Sequence, residues 1–123
     1  MPAYGTPQAG GTITSIVPGD LVYKMFDGSE TAAANLASVA IARGMGAGAD
    51  NGATFYATGI PSGCTIDVQG SNIDVAGDYL TLTTMSGDAN GNAAYTDVGR
   101  PAFYRVMLSA YTSGAMPVVT VQR

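Results

Sequence analysis

The residues that could carry out chemistry in this sequence are few, and most of them are aspartates. The segment Asp88-Ala89-Asn90-Gly91-Asn92 begins like a calcium loop, with oxygen-bearing side chains at alternate positions. An EF-hand loop has glycine at its sixth position and glutamate at its twelfth, where this chain has Ala93 and Gly99. The segment is therefore predicted to be a polar hairpin turn.

Three further aspartates, Asp67, Asp74 and Asp78, lie close together in the sequence. A pair of carboxylates about 5–10 Å apart can hydrolyse glycosidic bonds. The sequence does not encode that separation, and aspartate is a normal residue of turns and strand ends. Structural roles are therefore favoured for all three.

Nucleophilic catalysis finds little support in the sequence. Cys64 is the only cysteine and the chain has no histidine, so no internal disulfide can form and the usual activating base is missing. Cys64 is predicted to be a small buried residue. No serine lies in a Gly-x-Ser-x-Gly motif, and the glycine-rich segment 44–48 lacks the Lys-Ser or Lys-Thr of a phosphate-binding loop. The sequence predicts neither an enzyme nor a bound cofactor or metal.

Composition limits the classes of partner. The chain has 123 residues, enough for one domain, and only 11% of them are charged against about 25% in a typical protein. Such a chain stays soluble through hydroxyls and amides, or else its surface is covered by partners. A net charge of −4 with five Lys and Arg argues against nucleic acid and against a polybasic membrane patch.

The sequence shows no signal that would direct the protein out of a cytoplasm. No apolar run is long enough to span a bilayer. The first residues, Met1 to Gly5, lack the basic segment and apolar core of a secretory signal. We expect the protein to be made and folded in a cytoplasm.

Short segments in which polar and apolar residues alternate are predicted to be strands, and these strands would position any functional site. Ile66 and Val68 share one face of their segment, and Tyr104, Val106 and Leu108 share one face of theirs. Gly, Pro, Asn, Asp and Ser bound these segments and indicate turns. Predicted strands cover residues 12–17, 21–26, 53–58, 64–69, 79–85, 94–98, 103–108 and 117–122, with Leu80 and Leu82 aligned on one face and a turn at Gly70-Ser71-Asn72.

Residues 31–43 are ambiguous. Their alanines favour a helix that Ser29 could cap, whereas Val39 and Ile41 alternate as in a strand. We favour a loop followed by a strand from about Leu36.

These segments predict an all-β fold, an antiparallel β-sandwich of jelly-roll or Ig-like type with about eight or nine short strands. Residues 1–11 are predicted to form an extended N-terminal arm, and residues 12–123 a single sandwich domain.

Four residues are predicted to contact other subunits. Tyr4 and Pro7 lie in the arm, where an aromatic side chain could anchor on a neighbour. Arg105 lies on the strand face opposite Tyr104 and requires a carboxylate or several carbonyls, which could come from the same chain, from a neighbouring subunit or, less favoured, from a bound ligand. Tyr111 begins a tight turn. Deletion of residues 1–11 is expected to weaken binding to a partner without unfolding the domain.

The second half of the chain resembles a known family. It contains Val68-Gln69-Gly70-Ser71, then Tyr79-Leu80-Thr81-Leu82, then Phe103-Tyr104-Arg105-Val106, then Ser109 to Gly114, and finally Val118-Val119-Thr120-Val121. This order resembles the small β-sandwich modules of tailed-bacteriophage virion structural proteins, over roughly residues 53–123.

The resemblance implies a capsid decoration or cement protein that stabilises contacts between capsid subunits. Its partner would be the major capsid protein or another virion protein, and it would act as a homo-oligomer, with a trimer as one option. It would reside in the virion after synthesis in the host bacterial cytoplasm. One alternative is a head-fibre or tail accessory protein. Another is a carbohydrate-binding surface module that stacks sugars on Tyr23, Tyr56, Tyr79, Tyr95 or Tyr111.

Overall fold

A computed structural model describes residues 12–17, 20–42, 53–99 and 101–122 of the chain. The predicted arm, with Tyr4 and Pro7, lies outside the described residues. Within them the chain forms ten β-strands and a single 3₁₀ turn at Ala76–Asp78. The strands are β1 (Thr12–Val17), β2 (Asp20–Asp27), β3 (Leu36–Ala37), β4 (Ile41–Ala42), β5 (Ala53–Thr58), β6 (Thr65–Ser71), β7 (Leu80–Ser86), β8 (Ala93–Asp97), β9 (Phe103–Ala110) and β10 (Val118–Gln122).

The strands form two antiparallel sheets. One has the order β1-β2-β10-β5-β8; the other has β3-β9-β6-β7, with β4 also paired to β9. The pairs β6–β7, β5–β8, β3/β4–β9 and β2–β10 are nested inside one another along the chain. This is the order of a jelly roll, in which one long hairpin is wrapped into two facing sheets. The predicted all-β sandwich is confirmed, and of its two variants the jelly roll is the observed one.

The core lies between the sheets and follows the predicted alternation. Ile66 and Val68 of β6 are fully buried, and so are Tyr104, Val106 and Leu108 of β9. From the opposite sheet, Phe55 meets Tyr104 edge to face, with ring centroids 5.3 Å apart. Cys64 is buried in the same core, as predicted.

Residues 31–42 contain no helix. A loop leads into β3, as predicted from Leu36, but the strand breaks after two residues and resumes as β4. The break occurs where the Ser38 hydroxyl accepts the Val106 amide N–H at 3.0 Å, while the Ser38 amide donates to the Val106 carbonyl. The Ser38 hydroxyl therefore accepts the hydrogen bond that a backbone carbonyl would accept in a regular β-ladder.

Strand β6 is longer than predicted. The expected turn at Gly70-Ser71-Asn72 begins only at Asn72, because Gly70 is paired with Leu80 on one side and Tyr104 on the other. The strand predicted at residues 79–85 is present as β7. Its Leu80 and Leu82 are exposed, and Met85 is its buried residue.

Residues 87–92 do not form the predicted hairpin turn. They carry the chain from β7 in one sheet to β8 in the other. Local polar residues indicate a turn, but they do not specify whether the two flanking strands pair.

The connections that the structure describes gather at two opposite ends of the sandwich. At the first end, the Ile60 amide donates to the Gly91 carbonyl at 2.9 Å, and the Thr112 hydroxyl donates to the Ser62 carbonyl at 3.3 Å. At the second end, the Ala102 amide donates to the Asn72 side-chain oxygen at 3.0 Å. The second end therefore brings together the loops after β6 and after β8.

Candidate functional site

The second end of the sandwich carries large apolar side chains on its surface. Leu80 is 73% exposed and Val98 is 75% exposed, and more than half of Ile73 and Val75 is accessible. We call these four residues the apolar end. Ile73, Val75 and Val98 lie in the loops after β6 and β8, and Leu80 begins β7. Apolar side chains grouped on a surface indicate an interaction site, whereas the same residues scattered singly do not.

A shallow cleft of about 250 Å³ opens beside the apolar end. Leu80, Leu82 and Pro101 supply apolar lining, and Ser71 and Asp97 supply polar lining. Gly70 lies at its wall, where a Cβ would be 2.7 Å from Cγ of Pro101 and 3.2 Å from Cδ1 of Leu82. The absence of a side chain at Gly70 therefore lets Pro101 and Leu82 close over the strand.

Asp97 is a buried carboxylate at this cleft, and sequence reasoning missed it. Its Oδ2 accepts the Tyr104 hydroxyl at 2.7 Å and the Gly99 amide at 3.1 Å, and its Oδ1 accepts the Tyr95 hydroxyl at 3.2 Å. Because Asp97 is on β8 and Tyr104 on β9, the short bond connects the two sheets. Both oxygens have donors, which suits a structural role.

A signal for Asp97 was present in the sequence. Tyr95 and Asp97 are two residues apart on a strand, so they share a face. That face is the inner one, and burial raises the pKa of the Tyr95 hydroxyl, as does its bond to the Asp97 carboxylate.

Arg105 lies on the outer face of its sheet, as predicted, and its partners lie within the chain. Its Nε donates to Oε1 of Gln69 at 2.6 Å, and its Nη2 donates to the Ala76 carbonyl at 3.2 Å. The guanidinium carbon lies 4.2 Å from the centroid of the Tyr79 ring. The side-chain amide of Gln69 and the backbone carbonyl of Ala76 therefore accept the hydrogen bonds of Arg105, and neither of these acceptors is a carboxylate.

The contacts of Arg105 hold the loop after β6 against the sheet. The Tyr79 hydroxyl donates to Asp74 at 2.7 Å. Burial raises the pKa of Tyr79, and the bond to the Asp74 carboxylate adds to the shift. Gln69 is buried on the outer face of the sheet.

Asp67 accepts hydrogen bonds from a different set of side chains than Asp74, whose donor is Tyr79. Asp67 accepts hydroxyls from Thr84 at 2.7 Å, Ser109 at 2.9 Å and Thr81 at 3.3 Å. Among residues 12–17, 20–42, 53–99 and 101–122, no three His, Cys, Asp or Glu side chains are placed to hold a metal ion.

Asp88 organises its own turn at the first end of the sandwich. Its Oδ1 accepts the amides of Asn90 at 2.8 Å and Asn92 at 3.0 Å. The bond from the Asn92 amide, followed by that from Asn90, lowers the pKa of Asp88. A cavity of about 520 Å³ lies between this turn and residues 60–65.

Tyr111 also closes a turn at the first end. Its hydroxyl donates to the Gly114 carbonyl at 2.9 Å, and its ring packs against the core. Arg105 and Tyr111 are thus at different places, and the structure does not bring them into one surface patch. Tyr4 and Pro7 lie outside the described residues.

The tyrosines considered for sugar stacking are dispersed. Tyr23 is fully buried, Tyr95 bonds to Asp97, and Tyr79 has Arg105 over its ring. Tyr56 is half-exposed on the outer face of β5, opposite Thr120 of β10.

No protein-family model matches the sequence, and no curated protein matches it. In the described part of the chain, no helix has both the length and the apolar character required to cross a membrane.

Proposed function

We propose that this chain is a bacteriophage virion structural protein, a capsid decoration or cement protein that binds the major capsid protein. The observation that carries the proposal is the apolar end, formed by Ile73, Val75, Leu80 and Val98. A rigid sandwich that presents these side chains to a capsid surface would stabilise the contact between subunits by burying them.

The energetic argument rests on burial. Each Å² of apolar surface removed from water contributes about 25 cal/mol, so an exposed Leu or Val gains about 1–2 kcal/mol when a partner covers it. The low charge of the chain, 11% of residues, reduces the cost of desolvating the polar surface around such a contact.

The fold supports the proposal without determining it. Jelly rolls occur in viral capsid proteins, in lectins and in cupins, so the fold is compatible with several functions. The choice of a virion role comes from the resemblance of residues 53–123 to phage structural modules. In this proposal the protein reaches the virion after synthesis in the host and acts there as a homo-oligomer.

Sedimentation with particles tests the proposal. The purified full-length chain is mixed with particles of the phage whose genome encodes it, stripped of the endogenous protein, and the bound fraction is measured. We expect saturable binding to heads, weakened at least about tenfold, or about 1.4 kcal/mol, by Val98→Asp or Ile73→Asp.

Tyr56→Asp is the matched control. It places the same charge on a half-exposed residue in the opposite sheet, away from the apolar end. Binding of all three variants like the wild type would overturn the role of the apolar end. Binding to separated tails instead of heads would favour a tail accessory protein.

A carbohydrate-binding surface is the second candidate, and Tyr56 favours it. Its half-exposed ring lies on a sheet face near Thr120, Thr54 and Thr96, the last two joined by a 3.0 Å hydrogen bond between hydroxyls. A glycan array probed with the wild type and Tyr56→Ala tests this candidate. If the wild type binds no glycan on the array, the carbohydrate-binding function is excluded.

A further inference from the structure

Strand β7 is a sheet edge with little to protect it from pairing with another chain. It is the edge of its sheet, and in the described residues its only ladder partner is β6. Its seven residues, Leu80 to Ser86, contain no charge and no proline. An uncharged edge strand offers unpaired backbone N–H and C=O groups to any extended segment.

Two other sheet edges carry features that discourage such pairing. The edge opposite β7 is broken into the two-residue strands β3 and β4. Strand β8 turns the carboxylate of Asp97 inward. Short strands and inward-pointing charges are among the devices by which natural sheets limit edge-to-edge association.

The geometry of β7 restricts how a second strand can pair with it. The register with β6 shifts between Val68 and Gln69, so that Leu82 is an extra residue on β7. Thr83 to Ser86 form the regular part of the strand, and Leu80 and Leu82 project exposed apolar side chains beside it. A partner strand would therefore pair with the regular part and cover the two leucines.

We propose that β7 pairs antiparallel with β7 of a second copy of this chain, which joins the two β7-containing sheets across a two-fold axis. A strand made of Leu, Thr, Met and Ser is complementary to itself, because Thr–Thr and apolar cross-strand pairs are favourable and no like charges meet. Two-fold pairing also closes on itself and leaves no further β7 edge. The proposal does not depend on the virion function.

The overall charge gives the proposal a distinctive signature. Each copy carries a net charge of −4, so two copies repel one another at low ionic strength. Salt screens this repulsion within about 10 Å at 0.1 M, and self-association should therefore strengthen as salt is added. A basic peptide bound to β7 would show the opposite dependence.

Sedimentation-velocity measurements on the full-length chain over a concentration series test the pairing. We expect a monomer–dimer equilibrium whose dissociation constant rises at least tenfold in Leu80→Lys. The matched control, Val39→Lys, places the same charge on an exposed apolar residue in the loop between β3 and β4, on the far side of the sandwich, and should leave the equilibrium unchanged. Thermal unfolding confirms that both variants are folded.

Hydrogen exchange locates the interface independently of any substitution. Amides of residues 80–86 should gain protection as the concentration of the wild type rises, while those of β8 should not. A wild type that stays monomeric at the highest soluble concentration would overturn the proposal. So would a dimer that Leu80→Lys does not weaken, or a trimer protected at another edge.

Discussion

The hydroxyl of Tyr104 donates a 2.7 Å hydrogen bond to Oδ2 of Asp97, and this bond links the two sheets through the core. Tyr104 is fully buried and also packs against Phe55, so the bond lies in a region of low dielectric. A bond to a charged acceptor in such a region is stronger than one at the surface.

Removal of one partner of this bond should destabilise the protein. We expect Tyr104→Phe to lower the free energy of unfolding by about 1.5–3 kcal/mol, because the carboxylate loses a donor while it stays buried. Asp97→Asn should cost a similar amount. In a double-mutant cycle measured by urea unfolding, the two losses should fall short of additivity, and strict additivity would contradict a direct coupling.

Gly70→Ala should destabilise the sandwich at the cleft. The new Cβ would lie 2.7 Å from Cγ of Pro101 and must displace that ring, which costs about 1–3 kcal/mol. Gly77→Ala is the matched control, since a Cβ there meets no atom within 4 Å. Equal melting temperatures for the two variants would show that Pro101 yields without cost.

Arg105→Ala should release the loop after β6. The change removes two hydrogen bonds and the stacking on Tyr79, and we expect a loss of about 1–2 kcal/mol in stability. Amides of residues 76–79 should exchange faster in the variant than in the wild type. Arg105→Lys should restore little of this protection, because an ammonium cannot reproduce the planar fork. Lys24→Ala, which removes a cation from the other sheet, should leave the loop protected.

Stability should fall at alkaline pH through Tyr79 and Tyr95. Burial and a carboxylate partner raise the pKa of both hydroxyls above the ordinary value of 10.0. The folded state then holds protons that the unfolded state releases above pH 10. The stabilisation is complete below pH 10 and is lost as pH rises toward the folded pKa.

Urea unfolding between pH 8 and pH 11 measures this loss. Tyr79→Phe should flatten the decline, and Asp74→Asn should flatten it in part, because burial and the Asp74 bond both contribute to the shift. A decline as steep in Tyr79→Phe as in the wild type would contradict the assignment to Tyr79.

Local patterning predicted the fold class because each central strand is buried on one face. Ile66 and Val68, like Tyr104, Val106 and Leu108, follow the period of two that a strand with one buried face requires. Leu80 and Leu82 alternate in the same way and yet are exposed: alternation shows that a strand has two faces and does not show whether anything covers either one. Whether another element covers a strand face depends on the order of strands in the sheets, which is a property of the whole chain.

The site was harder to predict than the fold. Arg105 was recognised as a charge within an apolar strand, but its partners Gln69 and Ala76 come from another strand and from a loop. The apolar end was missed because Ile73, Val75 and Val98 lie in turn-rich segments, where isolated apolar residues are unremarkable. Only the pairing of β6 with both β7 and β9 brings those segments to one end.

The position of β10 has a consequence for biosynthesis. Strand β10, the last strand in the described residues, lies between β2 and β5 and hydrogen-bonds to both. A chain that still lacks Val118 to Gln122 leaves a gap in the middle of one sheet, with the facing edges of β2 and β5 unpaired. The sandwich can therefore close only once these five residues have been synthesised, because Tyr23 and Phe55 both lie beside Val121 in the finished sheet.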